Sequence, residues 1–161
     1  MRHADQGEAS RLDGRDLRIG IVQARFNRAL TDRIAEACRA ELADLGVAAD
    51  AVRHVQVPGA LEIGVALAAL AESDDFDALV AVGCVIRGET YHFDIVAGQS
   101  ARALVDLGIH EQLCIGNGIL TVENEPQALV RADREQADKG GDAARACLAL
   151  IELRHRLGMR R

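Results

Sequence analysis

The residues best suited to chemistry lie close together near the middle of the chain. The segment Gly88-Glu89-Thr90-Tyr91-His92 contains a glycine, a carboxylate, a hydroxyl and an imidazole. An imidazole titrates near neutral pH, so His92 is a candidate general acid or base. A glycine and a hydroxyl at the start of a helix can hold a phosphate with backbone N–H groups. The segment therefore suggests proton transfer beside an anion, and an ordinary capped helix turn is the alternative.

The flanking sequence predicts that this segment connects a strand to a helix. Residues 78–86 are almost all apolar and rich in valine, which is typical of a strand buried on both faces. From residue 93 to 107, apolar residues recur every three or four positions, which predicts a helix. Open parallel sheets bind ligands at the carboxyl ends of their strands. The predicted position of the segment thus agrees with its chemistry.

Three further strand ends bring polar or unusual residues to the same edge of the predicted sheet. They are Arg25-Phe26-Asn27, Pro58-Gly59-Ala60-Leu61-Glu62 and Thr121-Val122-Glu123-Asn124. Phe26 is one of four aromatic residues and could stack on a planar ring or pack over the following helix. Glu62 could cap its helix or recognise a hydroxyl. Four strand ends at one edge predict a single crevice for a small molecule.

Two cations later in the chain, Arg131 and Lys139, are candidates to neutralise a bound phosphate. Glu89 would oppose an anion unless its side chain points away or pairs with a cation. For Arg131 or Lys139 taken alone, a solvated surface charge is the simpler explanation. The other histidines have no comparable setting and are not predicted to be catalytic; they are His3, His54, His110 and His155.

The order of predicted elements indicates an α/β protein. Strands are predicted at residues 17–23, 51–57, 78–86 and 113–121. Helices are predicted at about 28–45, 61–73, 93–107, 126–131 and 140–157. This alternation predicts right-handed crossovers and a parallel sheet covered on both faces, a three-layer α/β/α architecture. Gly116 and Gly118 in the last strand indicate a close backbone approach or a bend.

Length and composition limit the class of protein. The first 16 of the 161 residues are polar and aperiodic, which predicts a flexible arm before a single domain at 17–158. The net charge of −6 argues against nucleic-acid binding. Without an apolar signal core or a stretch long enough to span a membrane, we expect a cytoplasmic protein. Four widely spaced cysteines are expected to be buried thiols, neither disulfides nor metal ligands; they are Cys38, Cys84, Cys114 and Cys147.

Taken together, several segments resemble the lumazine synthase family of riboflavin biosynthesis. They are Ala24-Arg25-Phe26-Asn27, Val57-Pro58-Gly59-Ala60-Leu61-Glu62, Val85-Ile86-Arg87-Gly88-Glu89-Thr90-Tyr91-His92-Phe93-Asp94, Gly118-Ile119-Leu120-Thr121, Arg131-Ala132 and Lys139-Gly140. They occur in unbroken order between about residues 17 and 157. The segment from Gly88 to Phe93 is the most specific of them.

The resemblance implies a flavodoxin-like four-stranded parallel sheet and a condensation reaction. The substrates of the family are 5-amino-6-(D-ribitylamino)uracil and 3,4-dihydroxy-2-butanone 4-phosphate. The products are 6,7-dimethyl-8-ribityllumazine, inorganic phosphate and water. No metal or cofactor is implied, and the expected assembly is a homo-oligomer with sites at subunit interfaces.

The resemblance also implies roles for individual residues. The residue that matches Phe26 stacks on the pyrimidine, and the stretch that matches Cys84-Val85-Ile86 meets the pyrimidine edge. The stretch that matches Ala60-Leu61-Glu62 holds the ribityl chain. His92 matches the residue that transfers protons.

The remaining matches concern the phosphate and the neighbouring subunit. Positions matching Glu89 and Thr90, together with Arg131, bind the phosphate of the butanone, and Arg131 is predicted to be catalytic alongside His92. Asn117 matches a position contributed by a neighbouring subunit, and Lys139 matches a lysine near the ribityl end. Asn117 stands where many members carry an apolar or aromatic residue, which leaves a polar contact as the alternative to a stacked one.

One departure from the family pattern bears on assembly. Residues 133–138, Asp-Arg-Glu-Gln-Ala-Asp, replace a glycine-containing turn of relatives that build sixty-subunit shells, so we expect a free pentamer.

Two other functions compete with catalysis. The first is a non-catalytic flavin- or lumazine-binding protein. Such a protein would need no phosphate site, so the intact His92, Arg131 and Lys139 argue against this function. A flavodoxin-type redox carrier would need a Ser/Thr/Gly-rich first turn, and Ala24-Arg25-Phe26-Asn27 is not one.

Overall fold

The computed structural model describes residues 12–73 and 76–159, so residues 1–11 of the predicted arm lie outside the described part. The strands are β1 Ile19–Ala24, β2 Val52–Val57, β3 Ala78–Ile86 and β4 Ile115–Val122. The helices are α1 Arg28–Asp44, α2 Ala60–Ser73, α3 His92–His110, α4 Glu125–Ala132 and α5 Lys139–Arg156. A 3-10 turn at Ala49–Ala51 precedes β2.

The four strands form one parallel sheet in the order β2-β1-β3-β4. Ile19 in β1 pairs with Val52 on one side and with Ala78 on the other, and Leu79 in β3 pairs with Ile115. Because the chain leaves β1 towards β2 and returns past it to β3, the strand order reverses between β1 and β3. Such a reversal opens a crevice at the carboxyl ends of the two strands.

Helices cover both faces of the sheet, as the sequence predicts. The side chains of β3 alternate between the faces, with Val80 and Val82 packed towards α1 and α5. Leu79 and Ala81 pack towards α2 and α3 on the opposite face. Seven of the nine β3 residues are buried, which confirms a strand buried on both faces. The predicted three-layer, flavodoxin-like α/β/α fold is therefore confirmed.

The helix that follows the polar segment is longer than predicted. The α3 helix begins at His92, one residue earlier than expected, and continues to His110. This boundary makes His92 part of the first helical turn rather than part of the loop. None of the helices in the described part of the chain is both long and apolar enough to cross a membrane.

Candidate active site

A cavity of about 500 Å³ opens at the carboxyl edge of the sheet, where the strand order reverses. Its walls come from the turn after β1, the start of α2, the end of β3 and the start of α3. The lining residues are Ala24, Phe26, Gly59, Ala60, Leu61, Glu62, Cys84, Val85, Ile86, Gly88, Thr90, His92, Phe93 and Val96. Nine of the site residues proposed from the sequence are among them.

The turn after β1 holds Phe26 at the wall of the cavity. The Phe26 N–H donates to the Pro58 carbonyl oxygen at 3.2 Å. Asn27 adopts a left-handed conformation with φ 55°, which asparagine tolerates better than most residues. Its Nδ2 donates to the Cys84 carbonyl oxygen at 2.9 Å, joining the turn to β3. Phe26 is 71% exposed, so its aromatic ring is available to a planar ligand.

The first turn of α2 supplies a polar wall. Ala60 is buried, whereas Leu61 and Glu62 are exposed towards the opening. The first N–H groups of an α-helix have no partner within the helix, so this turn offers donors beside the Glu62 carboxylate, an acceptor. A chain of hydroxyl groups needs both donors and acceptors, which this turn provides.

The end of β3 supplies an apolar wall at Cys84, Val85 and Ile86. Burial raises the pKa of the Cys84 thiol to about 11. Because the thiolate is the nucleophilic form, Cys84 stays protonated near neutral pH and is not a nucleophile there. The prediction of buried thiols is confirmed, since all four cysteines are free and buried.

The segment between β3 and α3 completes the cavity. Gly88, Thr90 and His92 line it, and His92 is the first residue of the 19-residue helix α3. The positive end of the helix dipole and the unpaired N–H groups of the first turn favour an anion here. Glu89 is exposed and is not among the lining residues of the described chain. The imidazole and the predicted anion cradle thus belong to one cavity.

Three predicted site residues lie elsewhere in the single chain: within its described part, Asn117, Arg131 and Lys139 do not line this cavity. Asn117 lies on β4 and lines a separate groove between α3, β4 and α5. Arg131 lies in the last turn of α4, where its Nη1 donates to the Gln127 carbonyl oxygen at 2.9 Å. Lys139 begins α5 and pairs with Asp142 at 2.7 Å.

Sequence reasoning missed two groups that shape the cavity. One is the Asn27 amide, which bridges to β3, and the other is the side chain of Arg87, which contacts Asp94 and Glu123. The signal for Arg87 that the sequence offers is a charged residue directly after a wholly apolar strand. Its partner Glu123 is 36 positions away, so the pairing depends on β3 and β4 being neighbours.

His54 has a structural setting, as expected. The Nε2 of His54 lies 2.8 Å from Oε1 of Gln23, a buried residue of β1. Burial lowers the pKa of His54, so its neutral form is favoured. His54 thus satisfies the polar end of Gln23, and His3 lies outside the described residues.

The fold and the cavity define a class of protein. It is a flavodoxin-like α/β protein with a small-molecule cavity at the point where the strand order reverses. The cavity combines an exposed aromatic ring, a helix N-terminus suited to an anion, and an imidazole suited to proton transfer.

Comparison with known proteins gives the particular family. The 6,7-dimethyl-8-ribityllumazine synthase family model matches residues 16–155. Proteins of that name from Leptothrix cholodnii and Paracidovorax citrulli are each 54% identical over 153 residues, covering 95% of this chain and 97% of the relative. The protein of that name from Methylibium petroleiphilum is 55% identical over 146 residues, covering 91% of this chain and 89% of the relative. The chain belongs to the lumazine synthase family, and it is a transferase of riboflavin biosynthesis.

Proposed function

We propose that the cavity condenses 5-amino-6-(D-ribitylamino)uracil with 3,4-dihydroxy-2-butanone 4-phosphate. The products are 6,7-dimethyl-8-ribityllumazine, inorganic phosphate and water. The observation that carries this proposal is that Phe26, from the turn after β1, lines the same cavity as Thr90 and His92, from the segment between β3 and α3. Stacking, anion binding and proton transfer are the three functions that the two substrates require.

The pyrimidine is assigned to the space between Phe26 and the end of β3. Phe26 stacks on the ring, and Cys84, Val85 and Ile86 lie along its edge. The exposed Phe26 supports this assignment, because a ligand ring would remove its apolar face from water. The ribityl chain is assigned to Ala60, Leu61 and Glu62, where helix N–H groups and a carboxylate can bind hydroxyl groups.

The phosphate of the butanone is assigned to Gly88, Glu89 and Thr90. The N-terminus of α3 and the Thr90 hydroxyl support this assignment, since both donate hydrogen bonds to an anion. Glu89 is exposed, so its role is assigned to the backbone N–H and not to the carboxylate. The positive charge that a phosphate also requires is assigned to Arg131.

His92 is assigned to proton transfer between the two reactants. Addition of the amine to the ketone, loss of water, elimination of phosphate and ring closure all move protons. None of these steps transfers electrons to a carrier, so the reaction needs no redox cofactor. A positioned imidazole contributes about 10²–10⁴-fold to such steps, whereas orienting two bound reactants contributes about 7–11 kcal/mol.

A second copy of the chain is assigned to complete the site, in a homopentamer. This would explain why Asn117, Arg131 and Lys139 lie away from the cavity of their own chain. The groove beside Asn117 includes Val105 and Ile109, which are 57% and 67% exposed. Exposed apolar residues next to each other are typical of a subunit interface. We also assign the enzyme to the cytoplasm, where its four free cysteines would stay reduced.

The direct test is to mix the purified protein with both substrates. We expect lumazine fluorescence to appear together with one inorganic phosphate per product molecule. Omitting the butanone phosphate is the control, and it should abolish both signals. A protein that binds the lumazine product but forms none from the substrates would be a non-catalytic binding protein, and this result would overturn the proposal.

A further inference from the structure

Arg87 is the first residue after β3, and its side chain joins three elements at the rim of the cavity. Its backbone N–H donates to the Val122 carbonyl oxygen at 2.9 Å, which extends the pairing of β3 with β4. Its Nε lies 2.8 Å from Oε2 of Glu123, just after β4. Its Nη1 lies 3.2 Å from Oδ2 of Asp94, in the first turn of α3.

The guanidinium also covers an aromatic ring of the cavity wall. Its central carbon lies 4.1 Å from the centre of the Phe93 ring, within the range of a cation–π contact. Phe93 lines the cavity immediately after His92. The guanidinium of Arg87 therefore packs against Phe93, the residue after His92, while the backbone of Arg87 is hydrogen-bonded to β4.

These contacts fix both ends of the five residues 88–92. The segment begins after the backbone of Arg87 and ends before Phe93 and Asp94, which the same guanidinium contacts. The segment includes Gly88, Thr90 and His92, the lining residues assigned to the phosphate and to proton transfer. A flexible segment would have to be ordered each time substrate binds, at a cost in conformational entropy.

Global stability does not account for this arrangement. The side chains of Arg87 and Asp94 are 39% and 43% exposed, and exposed ion pairs contribute little to folding free energy. The charge of Arg87 is shared between two carboxylates, so it is already balanced before any substrate binds. Its geometry is suited to shaping the loop, because a planar guanidinium presents donors in a fixed fork and stacks on rings.

We propose that Arg87 is a positioning residue that holds residues 88–92 in the shape that binds the phosphate-bearing substrate. It acts through Phe93, Asp94 and Glu123 and does not contact the substrate. The inference rests on the proposed function, because it takes the phosphate to bind at Gly88 and Thr90.

The test is a kinetic comparison of Arg87→Met with the unaltered enzyme. We expect the KM for 3,4-dihydroxy-2-butanone 4-phosphate to rise about ten- to a hundredfold, because small misplacements of a site can cost about 10²-fold. The KM for the pyrimidine and the melting temperature should hardly change. Arg87→Lys keeps the charge but loses the fork and the planar stacking, so a smaller rise is expected.

A second variant separates positioning from direct binding of the phosphate. Asp94→Ala combined with Glu123→Ala keeps Arg87 and its contact with Phe93 but removes the two carboxylates that hold the guanidinium. If Arg87 positions the loop, this variant also has a raised KM for the butanone phosphate. If Arg87 binds the phosphate itself, freeing it from the carboxylates leaves the KM unchanged or lowers it, and the inference is overturned.

Two controls complete the design. Arg156 pairs with Glu152 on the exposed side of α5, so Arg156→Met removes a surface arginine away from the cavity and should leave both KM values unchanged. Thr90→Val tests the phosphate assignment itself. A raised KM in Thr90→Val with a normal KM in Arg87→Met overturns the positioning role alone. Normal values in both variants overturn the phosphate assignment as well.

Discussion

His92 and Arg131 are expected to contribute in different ways, His92 by proton transfer and Arg131 by binding the phosphate. His92 lines the cavity and is exposed, so a substrate can reach its imidazole. Arg131 is partly buried on α4 and is tied to Gln127 through its own Nη1. These settings imply different kinetic effects, since a proton-transfer group affects kcat and a phosphate-binding cation affects KM.

Replacing His92 and Arg131 by alanine should therefore give opposite patterns. We expect His92→Ala to lower kcat by about 10²–10⁴-fold. A measurable rate should remain, because the enzyme still orients the two reactants. Arg131→Ala should raise the KM for the butanone phosphate and leave the KM for the pyrimidine unchanged. Steady-state kinetics with each substrate varied in turn measures both effects.

His110→Ala is the control for His92, since His110 is an exposed histidine at the other end of α3. It should behave like the unaltered enzyme. A complete loss of activity in His92→Ala, with both reactants still bound, would show that acid–base catalysis outweighs positioning.

Among the elements, α5 depends on glycines that let backbones approach closely. A Cβ on Gly116 of β4 would overlap the carbonyl of Ala143, and a Cβ on Gly140 would overlap the carbonyl of Ile34. This confirms the prediction of a close approach at the β4 glycines for Gly116, and Gly118 has a similar setting against the Ala81 carbonyl. The packing of α5 on α1 and β4 therefore has no room for an added methyl group.

Gly140→Ala should destabilise the protein by about 1–3 kcal/mol, because overpacking forces the backbones of α1 and α5 apart. Gly98→Ala is the matched control, since Gly98 lies in α3 and a Cβ added there would meet no atom within 4 Å. It should stabilise by about 0.5–1 kcal/mol, the usual gain of alanine over glycine in a helix. Urea unfolding at one chain concentration measures both, and equal midpoints for Gly140→Ala and the unaltered protein would contradict the packing argument.

For the whole molecule, the turn between α4 and α5 bears on how many copies assemble. The Asp138 N–H donates to the Asp133 carbonyl oxygen at 3.0 Å. The Asp133 carboxylate accepts from the Glu135 N–H at 2.9 Å and from Nε2 of Gln136 at 2.7 Å. The hydrogen bond from Gln136 is the main reason why the pKa of Asp133 is lowered, so the carboxylate stays charged. A charged turn closed in this way is poorly suited to apolar contact between copies of the proposed pentamer.

We therefore expect a particle about five times the 17.3 kDa chain mass in light scattering, with no megadalton shell. A megadalton particle would contradict the pentamer.

A second experiment tests whether one site uses two subunits. The His92→Ala and Arg131→Ala chains are mixed, unfolded and reassembled. If Arg131 serves the neighbouring cavity, about a quarter of the sites in mixed pentamers regain both residues and activity returns. Mixed particles that stay as inactive as the separate variants would place Arg131 in its own chain's site.

Several features could be predicted from the sequence because they depend on residues close together in the chain. The apolar run of β3 and the helical spacing of α3 are local patterns, so both elements were predicted within a few residues. Gly88, Thr90 and His92 lie in one segment, and their shared cavity follows from a strand end meeting a helix start. The family resemblance in these segments agrees with the family that the comparisons show.

Only the tertiary structure decided which distant residues meet. Asn27 reaches the Cys84 carbonyl 57 positions away because β1 and β3 are neighbours, and Arg87 reaches Glu123 because β3 and β4 are. It also placed Asn117, Arg131 and Lys139 outside the cavity of their own chain. The periodicity of apolar residues in the sequence indicates which face of a helix or strand is buried. The partner of a side chain across the sheet is set by strand order and helix packing, which no local pattern contains.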